Sequence, residues 1–225
     1  MSVVAPATPR IRRGPSFALK RAFDLLVTVP LSLVLAPLLG VTALAVRFFL
    51  GSPIIFRQVR PGLDAKPFTL IKFRTMADMR DAGGNLLPDA QRLTSFGRIL
   101  RSTSLDELPE LWNVLRGDMS LVGPRPLLLK YLERYTPVQM RRHETLPGLT
   151  GWAQVNGRNA LTWKQKFAMD LWYVEHQSLW LDMKILALTF WRILTRQGIT
   201  QPGQATADEF LGESQRLSPP RDPKG

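Results

Sequence analysis

The sequence predicts an α+β fold, mostly α-helical, carried on an N-terminal membrane segment. Three observations support this. Leu25 to Val46 is a run of 22 residues without a charge. Two β-rich runs, Ile54-Ile55-Phe56 and Phe68-Thr69-Leu70-Ile71, flank the turn signal Arg60-Pro61-Gly62-Leu63-Asp64, which reads as a small β-hairpin. Leu108, Leu111, Trp112 and Leu115, and later Leu181, Ile185, Leu188 and Trp191, recur at helical spacing.

Residues 1–19 are basic and rich in Pro, Ala and Arg and are expected to be disordered. Residues 20–50 form the membrane element. Its apolar run is long enough to cross a bilayer, which takes about 20 residues. A cleaved signal peptide, with Ala43-Leu44-Ala45 as its cleavage site, conflicts with the length of the run and of the basic segment before it. A straight span conflicts with charge. Arg10, Arg12, Arg13, Lys20 and Arg21 precede the run, and Arg47, Arg57 and Arg60 follow it. Basic flanks favour the cytoplasm. A re-entrant hairpin bent at Ala36-Pro37 keeps both flanks on one side, because Pro37 removes a helical hydrogen bond. A buried core helix conflicts with a run that is apolar all round.

Residues 51–212 are expected to form the globular domain. After the hairpin, strand alternation puts Lys72 and Arg74 on one face. Asp78 to Pro88, with Gly83-Gly84, reads as a loop, and Gln91 to Leu100 as a helix. The next helix holds the adjacent carboxylates Asp106 and Glu107 and stops at Gly117. Leu127 to Leu146 reads as a helix interrupted at Thr136-Pro137. Pro147 to Asn159, with three glycines, reads as a loop that lines a polar site or simply connects. Thr162 to Glu175 and Leu181 to Thr195 read as amphipathic helices. With Trp172, Trp180 and Trp191, the latter suits the membrane interface or an ordinary core. Residues 213–225 are expected to be a disordered tail.

The net charge of +12 points to nucleic acid, an anionic membrane or a phosphorylated ligand. No nucleic-acid-binding motif is present. The absence of cysteine excludes disulfides and thiolate chemistry, and two histidines exclude a histidine-rich metal site. Several arginines surround the carboxylate pair: Arg92, Arg98, Arg101, Arg116 and Arg125. Ser104-Leu105-Asp106-Glu107 also matches a capping box, in which Glu107 would reach back to the Ser104 backbone. Against that alternative stand the arginines, the anion-binding character of a helix N-terminus and the stiff turn Gly123-Pro124-Arg125-Pro126, which would preset an arginine for bidentate phosphate contact. Asp106 is expected to stay ionised, as nucleophile or Mg²⁺ ligand. Glu107 is expected to have the raised pKa and to handle protons.

At these residues the chain resembles the bacterial monotopic phosphoglycosyl transferases, which are polyprenyl-phosphate sugar-1-phosphate transferases. The carrying stretches are Lys20-Arg21-Ala22-Phe23-Asp24, Phe56-Arg57-Gln58-Val59-Arg60-Pro61-Gly62, Lys72-Phe73-Arg74-Thr75-Met76, Arg101 to Pro109, Gly117 to Pro126 and Pro147 to Trp152. Its compact size resembles the small members near the diacetylbacillosamine phosphotransferase. Val155 to Asn159 and Asp208 to Gly212 point the same way.

The resemblance implies a two-step reaction on the cytoplasmic face of the bacterial inner membrane. A UDP-sugar binds with Mg²⁺. Asp106 attacks the β-phosphorus, UMP leaves, and undecaprenyl phosphate resolves the covalent sugar-phosphoryl aspartate. Glu107 handles protons or supports the metal. Lys72, Arg101 and Arg125 match basic residues bordering the site, and Asp170 an acidic one. N-acetylated sugars are favoured, and downstream glycosyltransferases are the partners such a product implies. The family's re-entrant helix agrees with the charge argument. Close relatives place Ser-Pro at its bend where this chain has Ala36-Pro37, which removes a hydroxyl able to satisfy a freed carbonyl. The competing functions are a membrane-bound phosphohydrolase, in which water resolves the same intermediate, and a basic membrane adaptor without activity.

Overall fold

The structure is a computed structural model that describes residues 15–157, 161–195 and 209–212. The termini expected to be disordered lie almost wholly outside the described residues. The chain opens with α1, Pro15–Leu50, 36 residues long with Pro30 and Pro37 inside it. The bend expected at Ala36-Pro37 does not interrupt the helix.

Only 11% of the most apolar window of α1 is buried, so it is not the core helix of a soluble domain. Its fully buried residues lie toward its two ends, and Leu35 in the middle also touches the main core. Lys20, Asp24 and Thr28 are buried at one end, Thr42 and Val46 at the other. Between them Leu33, Val34 and Leu38 stay exposed. Val46 joins Phe73 and Leu100 in a core cluster with Leu39 and Ala43 against it. The helix is therefore part of the folded body, and cutting it near Ala45 would open that cluster.

The hairpin forms as expected, with longer strands. β1, Ile55–Pro61, pairs antiparallel with β2, Pro67–Phe73, from Ile55↔Phe73 to Pro61↔Pro67. Asp64 and Ala65 take positive φ in the turn. Lys72 lies in β2, but Arg74 falls past its end and donates to the Ser52 carbonyl at 3.1 Å.

The helix expected over Gln91 to Leu100 is two pieces, α2 (Asp89–Arg92) and α3 (Ser95–Ser102). Thr94 separates them by accepting a hydrogen bond from Gly97 N–H, the usual work of an N-cap. Gly97 permits close contact, since a Cβ there would lie 1.8 Å from the Thr75 carbonyl oxygen. After a one-turn 3-10 segment, Leu105–Glu107, comes α4, Glu110–Arg116, closed by Gly117 at φ 92°. The carboxylate pair thus precedes the helix instead of opening it.

A second sheet was not anticipated. β3, Ser120–Val122, pairs parallel with β4, Gly148–Thr150. The expected Leu127 to Leu146 helix breaks into short turns: 3-10 over Leu129–Arg134, α5 (Pro137–Met140) and 3-10 over Arg141–His143. Thr136 and Pro137 start a new turn here, because Thr136 and Gln139 form a capping box. α6 is Trp152–Val155. α7, Trp163–His176, begins at Thr162, which caps it with Gln165. α8, Leu179–Thr195, follows. The main core joins Leu70, Leu111, Val114, Met119, Leu121, Val122, Val155, Tyr173, Leu181 and Ile185. On α8, Leu181 and Ile185 are buried, while Trp180, Phe190 and Trp191 are exposed. One face of this helix packs into the core, and the other is apolar and exposed.

Candidate active site

The capping-box alternative fails on geometry. Ser104 sits at φ 57° and makes no side-chain cap bond. Glu107 turns the other way, and both its oxygens receive the Arg125 guanidinium, one at 3.4 Å from Nη1 and the other, closer, from Nη2. The two acids are adjacent in sequence but not alike. Asp106 is 5% exposed and makes no hydrogen bond or ion pair among the described residues. Lys72, Arg101 and Arg125 lie near enough to stabilise its charge, yet burial and the neighbouring Glu107 raise its pKa to about 6. Asp106, expected to stay ionised, thus holds its proton more tightly than an ordinary carboxyl and is mostly ionised only above about pH 6. Glu110 shares the raised pKa of Asp106.

Glu110 was missed by the sequence reading. It is the first residue of α4 and 2% exposed, with one carboxylate oxygen lacking a partner. Burial, then Glu107, raises its pKa to about 8. The available signal was an acid four residues after Asp106, one helical turn on. Arg60 was missed as well, having been assigned to the membrane flank. It donates to the Pro126 carbonyl at 3.4 Å and to Gln58. Burial and then Arg125 lower its pKa to about 10.

Elements far apart in sequence place each group. Lys72 is carried on β2, half-buried and without a hydrogen bond or ion pair among the described residues. Arg101, on α3, donates from Nε to Thr75 Oγ1 at 3.0 Å. Arg125 projects from the turn after β3. That turn leans backbone to backbone on the Pro147 to Trp152 segment, since a Cβ on Gly148 would lie 2.0 Å from the Gly123 nitrogen. Gly148 and Gly151 therefore support the arginine turn.

Asp170 does not border the carboxylates. It is buried on α7 and paired with the buried Arg142 at 2.7 Å. Arg142 in turn donates to the Arg125 carbonyl at 2.8 Å. Asp170 therefore acts two residues removed, by holding the turn. His143 stands beside this pair, its pKa pushed down to about 3 by burial and Arg142, so it is neutral. Ala36 and Pro37 lie on the exposed middle of α1, away from the site.

Among the described residues no three acids or histidines form a metal-holding group. With Glu107 engaged on Arg125 and Glu110 more deeply buried, Asp106 is the more accessible carboxylate for a cation. That fits Mg²⁺, which commonly takes one or two carboxylates and completes its shell with water and substrate phosphates.

A family model described as bacterial sugar transferase matches residues 15–196. The chain belongs to the bacterial sugar transferase family. It is 56% identical over 194 residues to the uncharacterized sugar transferase EpsL of Bacillus subtilis (strain 168), covering 86% of this chain and 96% of that protein. It is 43% identical over 188 residues to a UDP-glucose:undecaprenyl-phosphate glucose-1-phosphate transferase of Caulobacter vibrioides, covering 78% of this chain and 70% of the relative. A protein of the same name from Klebsiella pneumoniae is 40% identical over 199 residues, covering 84% of this chain but 43% of the relative. The chain thus spans less than half the length of the Klebsiella protein.

Proposed function

We propose that this sugar transferase moves a sugar-1-phosphate from a UDP-sugar to undecaprenyl phosphate, with release of UMP. The observation that carries the reading is Asp106, buried and unpaired, with Lys72, Arg101 and Arg125 around it. The names of the relatives supply the substrate classes.

Asp106 attacks the β-phosphorus of the UDP-sugar, and the bond to the UMP oxygen breaks. The electron pair leaves with UMP, and a phosphoryl aspartate remains. A phosphate oxygen of undecaprenyl phosphate then attacks the same phosphorus and frees Asp106. Lys72 and Arg101 receive the charge on the transferred phosphoryl group. Glu107 orients Arg125 through its ion pair, which leaves it poorly placed as a proton carrier. Mg²⁺, held by Asp106 with the diphosphate, would neutralise phosphate charge.

The membrane topology belongs to the same proposal. Both ends of α1 pack on one globular body, which is placed on the cytoplasmic face of the inner membrane. A helix crossing the bilayer would leave only one end on that side. Lost backbone bonds at Pro30 and Pro37 allow the required bending.

The test is UMP release from a panel of UDP-sugars with Mg²⁺, with and without undecaprenyl phosphate. The expected result is lipid-dependent release with one hexose, lost in Asp106→Asn. One equivalent of UMP per enzyme without the lipid belongs to the covalent step; sustained release without the lipid would favour hydrolysis. Full activity in Asp106→Asn, with deamidation excluded, would remove the covalent step.

A further inference from the structure

A second cationic cavity lies outside the site. It is lined by Arg57, Thr69, Ile71, Trp112, Asn113 and Arg116 and has a volume of about 350 Å³, within the range of small-molecule sites. Its wall is rigid. Asn113, 1% exposed, accepts from Ile71 N–H at 3.1 Å and donates to the Thr69 carbonyl at 2.8 Å, tying α4 to the free edge of β2. The cavity is separate from Asp106. Ile71 and Lys72 are successive residues of β2, so their side chains leave opposite faces of the strand.

Two guanidiniums face this cavity with little to neutralise them. Arg57 makes no hydrogen bond or ion pair among the described residues, and it is exposed. Arg116 has a single exposed contact, 3.5 Å to Asp118. Trp112, on the rim, is 56% exposed. A paired cation and an indole in an open cleft fit a phosphate attached to an apolar tail. Guanidinium binds phosphate in bidentate fashion, and an indole sits well at the depth of lipid headgroups.

The position fits as well. Arg21, at the basic start of α1, donates to the Val114 and Leu115 carbonyls of α4. β1, which carries Arg57, begins at Ile55, shortly after α1 ends at Leu50. The helix that forms one wall of the cleft is thus tied to the basic start of the apolar helix, and the strand that carries Arg57 follows the apolar helix closely in sequence.

We propose that this cleft binds the phosphate of a membrane lipid, apart from the reacting substrates. The site anchors the domain at a fixed height over the bilayer. Its lipid is recognised by an anionic phosphate and not by its chain.

The full chain, in neutral detergent, can be titrated with phosphatidylglycerol, phosphatidylcholine, a short-chain polyprenyl phosphate and inorganic phosphate, with bound species read by native mass spectrometry. The variants are Arg57→Gln/Arg116→Gln and a control of equal charge loss, Arg80→Gln/Lys164→Gln. Thermal unfolding checks that both fold. The expected result is retention of phosphatidylglycerol over phosphatidylcholine, weakened roughly tenfold in the first variant only, as loss of about 1.4 kcal/mol produces. Preferential retention of the polyprenyl phosphate over phosphatidylglycerol, with the same dependence on Arg57 and Arg116, would overturn the proposal, because the cleft would then hold the acceptor substrate and read its chain. Equal weakening in both variants, equal retention of the two phospholipids, or displacement by inorganic phosphate alone would overturn it. None of these readouts depends on UMP release, so failure of the transferase reading leaves the test intact.

Discussion

Two buried charge clusters in this molecule are built on opposite terms. One fastens α1 to the globular body. Lys20 reaches Asp182 at 2.6 Å, and the other Asp182 oxygen accepts from the Tyr173 hydroxyl at 2.7 Å. Asp24 accepts from Ser120 Oγ at 3.0 Å and from the Leu121 N–H at 3.2 Å. The other is the candidate site, where three carboxyls crowd together. Among the described residues the Asp106 and Glu110 side chains carry no hydrogen bond, and Glu107 is engaged through Arg125. In the first cluster opposite charges and donors meet, although burial still raises the pKa of Asp24, one of whose oxygens has no partner. In the second, like charges are held near each other and burial penalises their ionisation. Unrelieved charge of this kind marks sites more often than scaffolds, and it weakens the fold for the sake of binding.

The comparison breaks most severely at Asp182. Asp182→Ala takes from the buried Lys20 ammonium its close partner and leaves only Asp24, 4.0 Å away. Removing one member of a buried pair typically costs about 3–5 kcal/mol. The expected outcome is a much lower unfolding temperature in detergent, with α1 more open to proteolysis near Lys20. Lys20→Met/Asp182→Leu should recover most of the loss, because it removes both charges. If Asp182→Ala unfolds no earlier than the parent, the anchoring cluster is not what joins helix to body.

The second change acts in the opposite direction. Glu110→Gln replaces an acid that burial holds near a pKa of about 8 against an ordinary 4.5. A carboxyl with a raised folded pKa keeps its proton more tightly in the folded chain than in the unfolded one. Its effect on stability is therefore absent below about pH 4.5, and stability is progressively lost as pH rises to about 8. Glu110→Gln should match the parent at pH 4.5 and exceed it at pH 8, by on the order of 2 kcal/mol. Unfolding midpoints across that window check this. A variant no more stable than the parent at pH 8 would mean that Glu110 is already neutralised.

Why one cluster was partly legible in the sequence and the other less so follows from distance along the chain. The helices α7 and α8 announce themselves through local signals, with Thr162 and Gln165 at a cap and apolar residues at regular spacing. The hairpin announces itself through its turn. Asp106 and Arg125 stand out by type and company. The fate of Glu107 does not, because its capping alternative is local and satisfied on paper, while its actual partner is 18 residues away. The β3–β4 pairing is invisible for the same reason. Three-residue strands leave no period, and what fixes them is a backbone fit between Gly123 and Gly148. Asp170 was grouped with the site by resemblance, and only the chain through Arg142 shows that it acts from behind. Arg60 read as membrane flank because its neighbours in sequence are basic, whereas its neighbours in space are Pro126 and Arg125.

The smallest expected effect tests how the two kinds of charge meet at one residue. Arg125 is paired with Glu107 and also lowers the pKa of Asp106. Asp106 must be ionised to attack phosphorus, so the rate of UMP release should rise with pH through about 6. Arg125→Gln removes that cation and also frees Glu107 to repel Asp106 more strongly. Both changes favour the protonated acid, so the acid limb should move to higher pH by about one unit, apart from any drop in the plateau rate. Substituting Arg98, an exposed arginine on α3, should leave the limb in place, which separates local charge from net charge. An unmoved limb in Arg125→Gln, with a lowered plateau, would mean that Arg125 holds substrate but does not set the ionisation of Asp106.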